Sequence, residues 1–431
     1  MHDRRIIPVG HPGRVDQPLR VLQVDPNANT PPYDRALCQA LAAAGCQVTL
    51  LTSRFLYEDL PRPAGLALDE RFFRLAGSGP AERLGLSSQP SARRVLKAAE
   101  YPLDWLLALA QIARRRPAAR PDVVHVQWSV EPKLDLLVWR ALRRLRIPLV
   151  YTAHNLVPHH ASSADTARYG RLYHAADAVI VHSVRSAQAL RDQWRIPAER
   201  IAVVPHGPLL EAHAPIERQA ARQRLGLPPD DELVLFTGLI EPYKGLADLI
   251  AAVGSVAARR PRTRLVVAGK PNEPFAPYRR QLAEPGLLDR TVLDLRFLPE
   301  ATLAAYLCAA DVVVLPYRAA TSSGLLFAAR RFGRPVVATS VGDLGEVVAD
   351  GTSGLLVPPS APEQLAAAVD RLLSDPGLAA RLGAAGQRAA TGPESWTEAA
   401  RRTVALYRSL LPLTPGPLPR AGRGRGVGAP R

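Results

Sequence analysis

The sequence predicts an α/β protein made of two doubly wound domains, each a parallel sheet covered by helices. Three observations carry this expectation. Short β-rich apolar runs alternate with helical stretches along most of the chain, the pattern of parallel sheets joined by crossover helices. The chain has 431 residues, more than one ordinary core accommodates. The polar motifs fall just after apolar runs, where ligands bind in sheets of this kind.

In the first half, strands are predicted over residues 19–25, 46–52, 122–127, 148–154, 178–183 and 201–207. In the second half they are predicted over 233–238, 264–269, 292–297, 312–317, 335–340 and 354–359. Amphipathic helical patterns lie between them, such as YDRALCQALAAAG and GLADLIAAVGSVAARR. The join falls in the polar, proline-dotted stretch between Gly207 and Asp231. The expected units are a first domain over 19–210 and a second over 211–395. An amphipathic helix over 396–412 returns to the first domain, and a disordered basic tail covers 413–431. The stretch 92–120 joins an apolar centre to basic flanks. It reads equally as a membrane-docking helix or as a core helix with a solvated basic end.

Composition narrows the function classes. Hydrophobic residues make up 47% and charged residues 22%, values of a globular chain. No apolar run approaches the ~20 residues that span a bilayer. The N-terminus lacks the apolar core of a signal peptide. Cys38, Cys46 and Cys308 have no metal-ligand spacing and read as buried thiols in a reducing cytoplasm. The net charge of +16 favours an anionic partner: nucleotide, lipid diphosphate, lipid surface or nucleic acid. No nucleic-acid module is recognisable, so no nucleic-acid partner is expected. Lysine occurs only at Lys97, Lys133, Lys244 and Lys270, against a background rich in arginine, which draws attention to Lys244.

The stretch from Asp311 to Glu346 reads as strand, hydroxyl-rich turn, helix, Gly-x-Pro break and strand. The turn Thr321–Gly324 opens the helix. A helix start leaves amide N–H groups unpaired and carries partial positive charge, so it suits a phosphate. The same residues also serve as ordinary N-caps.

Two such domains, with TSSGLL and PYKG turns and a PHG junction, resemble the GT-B fold glycosyltransferases, most closely glycosyltransferase family 4. The likeness runs from about Arg20 to Tyr407. It implies two Rossmann-like domains facing a central cleft, with a nucleotide sugar on the second domain and the acceptor on the first. FTGLIEPYKG (236–245) resembles the family's donor-phosphate turn, which implies donor contacts from Gly238 and Lys244. TSSGLLFAARRFGRPVVAT resembles the second donor motif, implying phosphate contacts from Ser322, Ser323, Gly324 and Leu325. Two family glutamates are replaced here by Ala320 and Ala328, and the family arginine by Leu239 or Glu241. Glu346 matches the family's G-G-x-x-E and is expected to contact ribose or to cap the following helix. VYTAHNLVPHH resembles a family strand end, which makes His154 the residue facing the donor sugar. Lys244 and His154 are thus the expected catalytic pair. The turn DPNANTPPYDRALCQAL (25–41) replaces the family's glycine-rich loop, and its Asn29 and Tyr33 offer hydrogen bonds suited to an acceptor hydroxyl or diphosphate, or to the turn itself. Asn155, and His206 of the PHG junction, are the further expected acceptor contacts.

The function implied is transfer of a sugar, a hexose by expectation, from a UDP- or GDP-sugar to a glycan or lipid-linked acceptor. The resemblance implies retention of configuration, with no metal and no cofactor beyond the donor. The expected setting is the cytoplasm or the inner face of an anionic membrane. Because the glutamates and the arginine are missing, a non-catalytic sugar-nucleotide-binding partner of another glycosyltransferase is the alternative.

Overall fold

The computed structural model describes residues 17–58, 65–76, 90–158, 162–284 and 286–411. The expected tail over 413–431, residue 412 and the pair His159 and His160 lie outside these residues.

The first domain is a seven-stranded sheet. Its strands are β1 (Arg20–Asp25), β2 (Gln47–Ser53), β3 (Ala67–Phe72), β4 (Val123–Val126), β5 (Leu149–Thr152), β6 (Ala178–Val181) and β7 (Ile201–Val203). The second domain holds β8 (Glu232–Thr237), β9 (Thr263–Ala268), β10 (Thr291–Asp294), β11 (Val312–Leu315), β12 (Val336–Thr339) and β13 (Leu355–Val357). The orders are β3-β2-β1-β4-β5-β6-β7 and β10-β9-β8-β11-β12-β13, with parallel pairing throughout. The chain reverses its direction of growth between β1 and β4 and again between β8 and β11, the topological switch points where crevices open.

The central strands are apolar on both faces, as parallel strands covered by helices must be. VVHV of β4 and VVVL of β11 are buried at every position. All the strands predicted from the sequence are present. The one missed is β3, with sequence ALDERF. It is an edge strand with a single fully buried side chain, so it has no apolar run to betray it.

The basic stretch forms the helix Pro90–Arg114, and the reading as a core helix with a solvated basic end is the one its packing bears out. Its inner face packs Tyr101, Trp105, Ala108 and Ile112 into the first core. Its acids also point inward: Glu100 accepts from the amides of Leu75 and Ala76 (2.7 and 2.8 Å), and Asp104 from that of Phe73 (2.9 Å). The outer face is left apolar, with Val95, Leu103, Leu106 and Leu107 all more than half exposed.

The helix Trp396–Leu410 packs on the helix Pro31–Ala43 of the first domain. Trp396, Val404 and Tyr407 join Tyr33, Leu37, Cys38 and Leu41 in one core. Trp396 donates from Nε1 to the Pro208 carbonyl at 2.7 Å. Its ring lies so close to Gly207 that an added Cβ would stand 2.3 Å from it, so only glycine fits the junction.

Trp396→Ala removes a large buried side chain and that hydrogen bond. A loss of about 3–5 kcal/mol in the first domain's unfolding free energy is expected. Urea denaturation followed by far-UV circular dichroism measures it, and a loss below roughly 1 kcal/mol would contradict the packing role.

Candidate functional site

The C-terminal ends of both sheets carry the polar residues. Lys244 follows β8 and the 321–324 turn follows β11, neighbouring strands at the second domain's switch point. Gly245 has φ 70°, and an added Cβ would stand 1.9 Å from the Pro316 carbonyl oxygen. The turn holding Lys244 is therefore pressed against the end of β11, which only glycine permits. Lys244 is half-buried, with Nζ 5.9 Å from the centroid of the Tyr317 ring. Burial pulls its ammonium down to about 8, with Glu241 acting weakly in the other direction.

Tyr317 links the turn at Lys244 to the 321–324 turn, because its hydroxyl lies 3.2 Å from Ser323 Oγ. Ser323 precedes the helix Gly324–Arg331, and its hydroxyl makes no cap hydrogen bond to that helix. Ser322, Gly324 and Leu325 are half-buried at the helix start. Gly238 ends β8 with φ 104°, and an added Cβ would stand 3.3 Å from Lys244 Nζ. These residues are thus brought together. Glu241 turns toward Asn272, accepting from its Nδ2 at 3.1 Å. Of the replaced glutamate positions, Ala328 is 1% exposed within the second core, while Ala320 is half-buried.

In the first domain, β4 to β7 end on Gln127, His154, His182 and His206. His154 Nε2 lies 3.0 Å from Gln127 Oε1, and its Nδ1 lies 3.3 Å from His182 Nε2. Trp128 stacks on His154 at 4.7 Å and 13°. His206 stacks on Phe327 of the second domain at 4.6 Å and 8°. Burial, followed by the neighbouring rings, holds His154 well below the ordinary imidazole range. Burial likewise lowers His182 and His125 to about 3 and His206 to about 4. The cluster is neutral at pH 7 and brings no charge, and both ring nitrogens of His154 are already engaged, with Gln127 and His182, leaving neither free for the sugar hydroxyl expected of it.

Two expected positions are used differently. Tyr33 is 2% exposed, its ring edge-on to His154, His206 and Trp396 at 4.7, 4.8 and 5.0 Å. It is core packing, since an aromatic ring at this depth gains more from contact than its hydroxyl would from an acceptor. Glu346 faces neither its own helix nor the 321–324 turn. Its two carboxylate oxygens accept from the amides of Val184 and Arg185, both at 2.8 Å, across the domain boundary. The bare amides at that helix start attract the carboxylate more strongly than its own short helix Leu344–Val347.

Asn29 is exposed, and its amide donates to Asp25 Oδ2 at 2.6 Å. Asn155 is half-buried beside His154. Asp25 is fully buried and fixes the 25–30 turn. The sequence reading missed Lys97, Trp128 and His182. Lys97 donates to Asn27 Oδ1 at 2.9 Å and lies 4.4 Å above the Phe73 ring, with burial drawing its ammonium down to about 8. Trp128 Nε1 donates to Thr30 Oγ1 at 3.0 Å. His182 stands one residue past β6, where the tendency of ligands to bind beyond strand ends could have found it. Among the described residues no cluster of His, Cys, Asp or Glu is arranged to hold a metal.

Comparison with known proteins gives the family and the fold. The family model "Glycosyltransferase Family 4" matches residues 35–208, and "Glycosyl transferases group 1" matches 231–375. The D-inositol 3-phosphate glycosyltransferase of Thermobispora bispora is 30% identical over 400 residues, covering 88% of this chain and 89% of that one. The protein of the same name from Frankia alni is 32% identical over 407 residues, covering 88% and 94%. Among solved structures, the sucrose-phosphate synthase of Thermosynechococcus elongatus superposes with a TM-score of 0.67 at 24% identity, covering 91% of this chain and 99% of that one. Anabaena HepE in complex with UDP-glucose superposes with a TM-score of 0.64 at 20% identity, covering 91% and 100%.

The buried histidines make acid stability a test of the cluster. Unfolded histidine titrates near ~6.5, while in the folded chain His125, His182 and His206 resist protonation down to about 3 to 4. As pH falls below 6.5 the unfolded state gains protons that the folded state refuses. Stability should drop by about 1.4 kcal/mol per pH unit for each such ring until the folded values are reached. Urea midpoints measured between pH 7 and 5 check this, and a flat profile would mean that the rings are solvated.

Proposed function

Because this chain belongs to glycosyltransferase family 4 and is a glycosyltransferase of GT-B fold, we propose that it moves a sugar from a UDP- or GDP-sugar to a hydroxyl of a glycan or lipid-linked acceptor, with retention of configuration. The observation that carries the donor side is the meeting of Lys244, Tyr317, Ser323 and the helix start at Gly324 around one switch point. The anomeric carbon–phosphate oxygen bond breaks and the diphosphate leaves with the electron pair. Lys244 and the amides of the helix start stabilise that charge. The departing phosphate oxygen takes the proton of the acceptor hydroxyl, which bonds to the anomeric carbon on the same face. Positive charge at the diphosphate thus comes from the protein, and the reaction is proposed to need neither metal nor cofactor.

On the acceptor side, Lys97, Asn27 and Trp128 favour an acceptor bearing phosphate. This agrees with relatives named for a phosphorylated inositol. The missing carboxylates at Ala320 and Ala328 leave the sugar and ribose held by other groups.

Calorimetric titration with UDP and GDP tests the donor reading. Affinity for one of them should fall by up to about tenfold between pH 7 and 9, as an ammonium titrating near 8 loses its proton. Lys244→Arg stays charged and should bind with little pH dependence over the same range. Equal pH profiles for the two proteins would remove Lys244 from the site.

The proposed setting is the cytoplasmic face of an anionic membrane. The support is the apolar outer face of the helix Pro90–Arg114, with exposed Arg94 at one end and Arg114, Arg115 and Arg116 at the other. The protein should float with phosphatidylglycerol vesicles, remain behind with phosphatidylcholine vesicles, and be released by salt. The double variant Leu106→Asp/Leu107→Asp should abolish flotation. Wild-type protein that ignores phosphatidylglycerol vesicles would rule out this docking.

A further inference from the structure

The segment after β12 does two things at once. Its backbone lies on the 321–324 turn. The Asp343 amide donates to the Thr321 carbonyl at 2.8 Å. Gly342, at φ 50°, packs so tightly that an added Cβ would stand 1.9 Å from the Ala320 carbonyl oxygen. Its side chains meanwhile reach the first domain. Asp343 Oδ1 accepts from Ser183 Oγ at 2.6 Å and from Ser186 Oγ at 2.9 Å. Glu346 accepts from the amides of Val184 and Arg185, which open the helix Val184–Trp194.

We infer that Ser183, Ser186, Asp343 and Glu346 form an interdomain clamp that positions the 321–324 turn for the donor diphosphate. The inference rests on the reading of that turn as the donor seat. A carboxylate removed from water costs free energy unless hydrogen bonds compensate it. Asp343 is 3% exposed, and its hydrogen-bond partners across the boundary are two hydroxyls. Glu346 meets two amides at the positive end of a helix. Both arrangements exist only in this relative orientation of the domains. Rotating them apart would leave the buried Asp343 carboxylate without these partners and part the exposed Glu346 carboxylate from its two amides.

The clamp and the donor turn share a backbone through Gly342 and Asp343. Whatever orders the turn orders the clamp, and by linkage the clamp strengthens whatever the turn binds. The four residues are positioning residues and do not touch the donor. Glu346 is thereby assigned to domain geometry, and the ribose is left to other groups.

The first domain supplies the decisive variant, because Ser183 and Ser186 belong to the opposite domain from the donor turn. Ser183→Ala/Ser186→Ala should weaken UDP or GDP binding about fivefold, within the range of measured couplings between sites. Adding Asp343→Asn to it should cause little further loss, since both changes break the same contact. Ser183→Thr, which keeps the hydroxyl, should bind like wild type. In the absence of nucleotide, small-angle scattering should give a larger radius of gyration for the double serine variant and for Glu346→Gln than for wild type. Unchanged scattering together with unchanged nucleotide affinity in the serine variant would overturn the clamp. Weaker binding in Glu346→Gln while the double serine variant binds like wild type would make Glu346 a donor ligand and overturn it too. Failure of wild type to bind either nucleotide would sink the donor reading instead, and the nucleotide-free scattering would then decide the clamp alone.

Discussion

Everything at the cleft depends on the parallel ladder. A parallel pair cannot be closed by a tight turn, so each strand is followed by a crossover that returns the chain to the far side. All strands of a sheet therefore end on the same side, and the residues just past their ends are collected along one edge. The order of strands then decides which of those residues become neighbours. In the second domain β8 lies beside β11, so a lysine and a hydroxyl-rich helix start distant in sequence meet through Tyr317. In the first domain β1 lies beside β4, which brings Thr30 to Trp128.

Desolvation sets the chemical character of what gathers there. The histidine cluster is buried deeply enough to stay neutral, so it shapes and hydrogen-bonds. Lys97 and Lys244 are less enclosed and keep most of their charge at pH 7, though burial lowers both. The result is a partly desolvated ammonium from each domain, Lys97 and Lys244, and a neutral aromatic and imidazole wall nearby. An anionic ligand raises the pKa of such a lysine, so binding and protonation strengthen one another.

The sequence was legible where local chemistry and burial agree. Apolar β-branched runs disclosed the central strands, and the PYKG and TSSG turns stood where polar residues interrupt the pattern. β3 was illegible because an edge strand with sequence ALDERF needs no apolar run. Tyr33 is read by residue type and Glu346 by its motif, and neither says which way a side chain turns. Tyr33 points into a core completed by a helix some 360 residues later, as the pairing with Trp396 shows. Glu346 is drawn to amides that belong to the other domain. Lys97 lay inside an arginine-rich helix, and only the turn of that helix toward Asn27 separates it from its neighbours. Contacts across domains or between distant segments leave no local signature.

The return of the last helix has a consequence for biosynthesis. Trp396, Val404 and Tyr407 cover the same core as Tyr33, Leu37 and Leu41. A ribosome releases the first domain's sheet long before it makes its final helix, with the whole second domain in between. The first domain is therefore begun first and finished last. Until then the outer face of the helix Pro31–Ala43 stays open, a sticky surface that a chaperone must cover or that the second domain must fold quickly enough to spare.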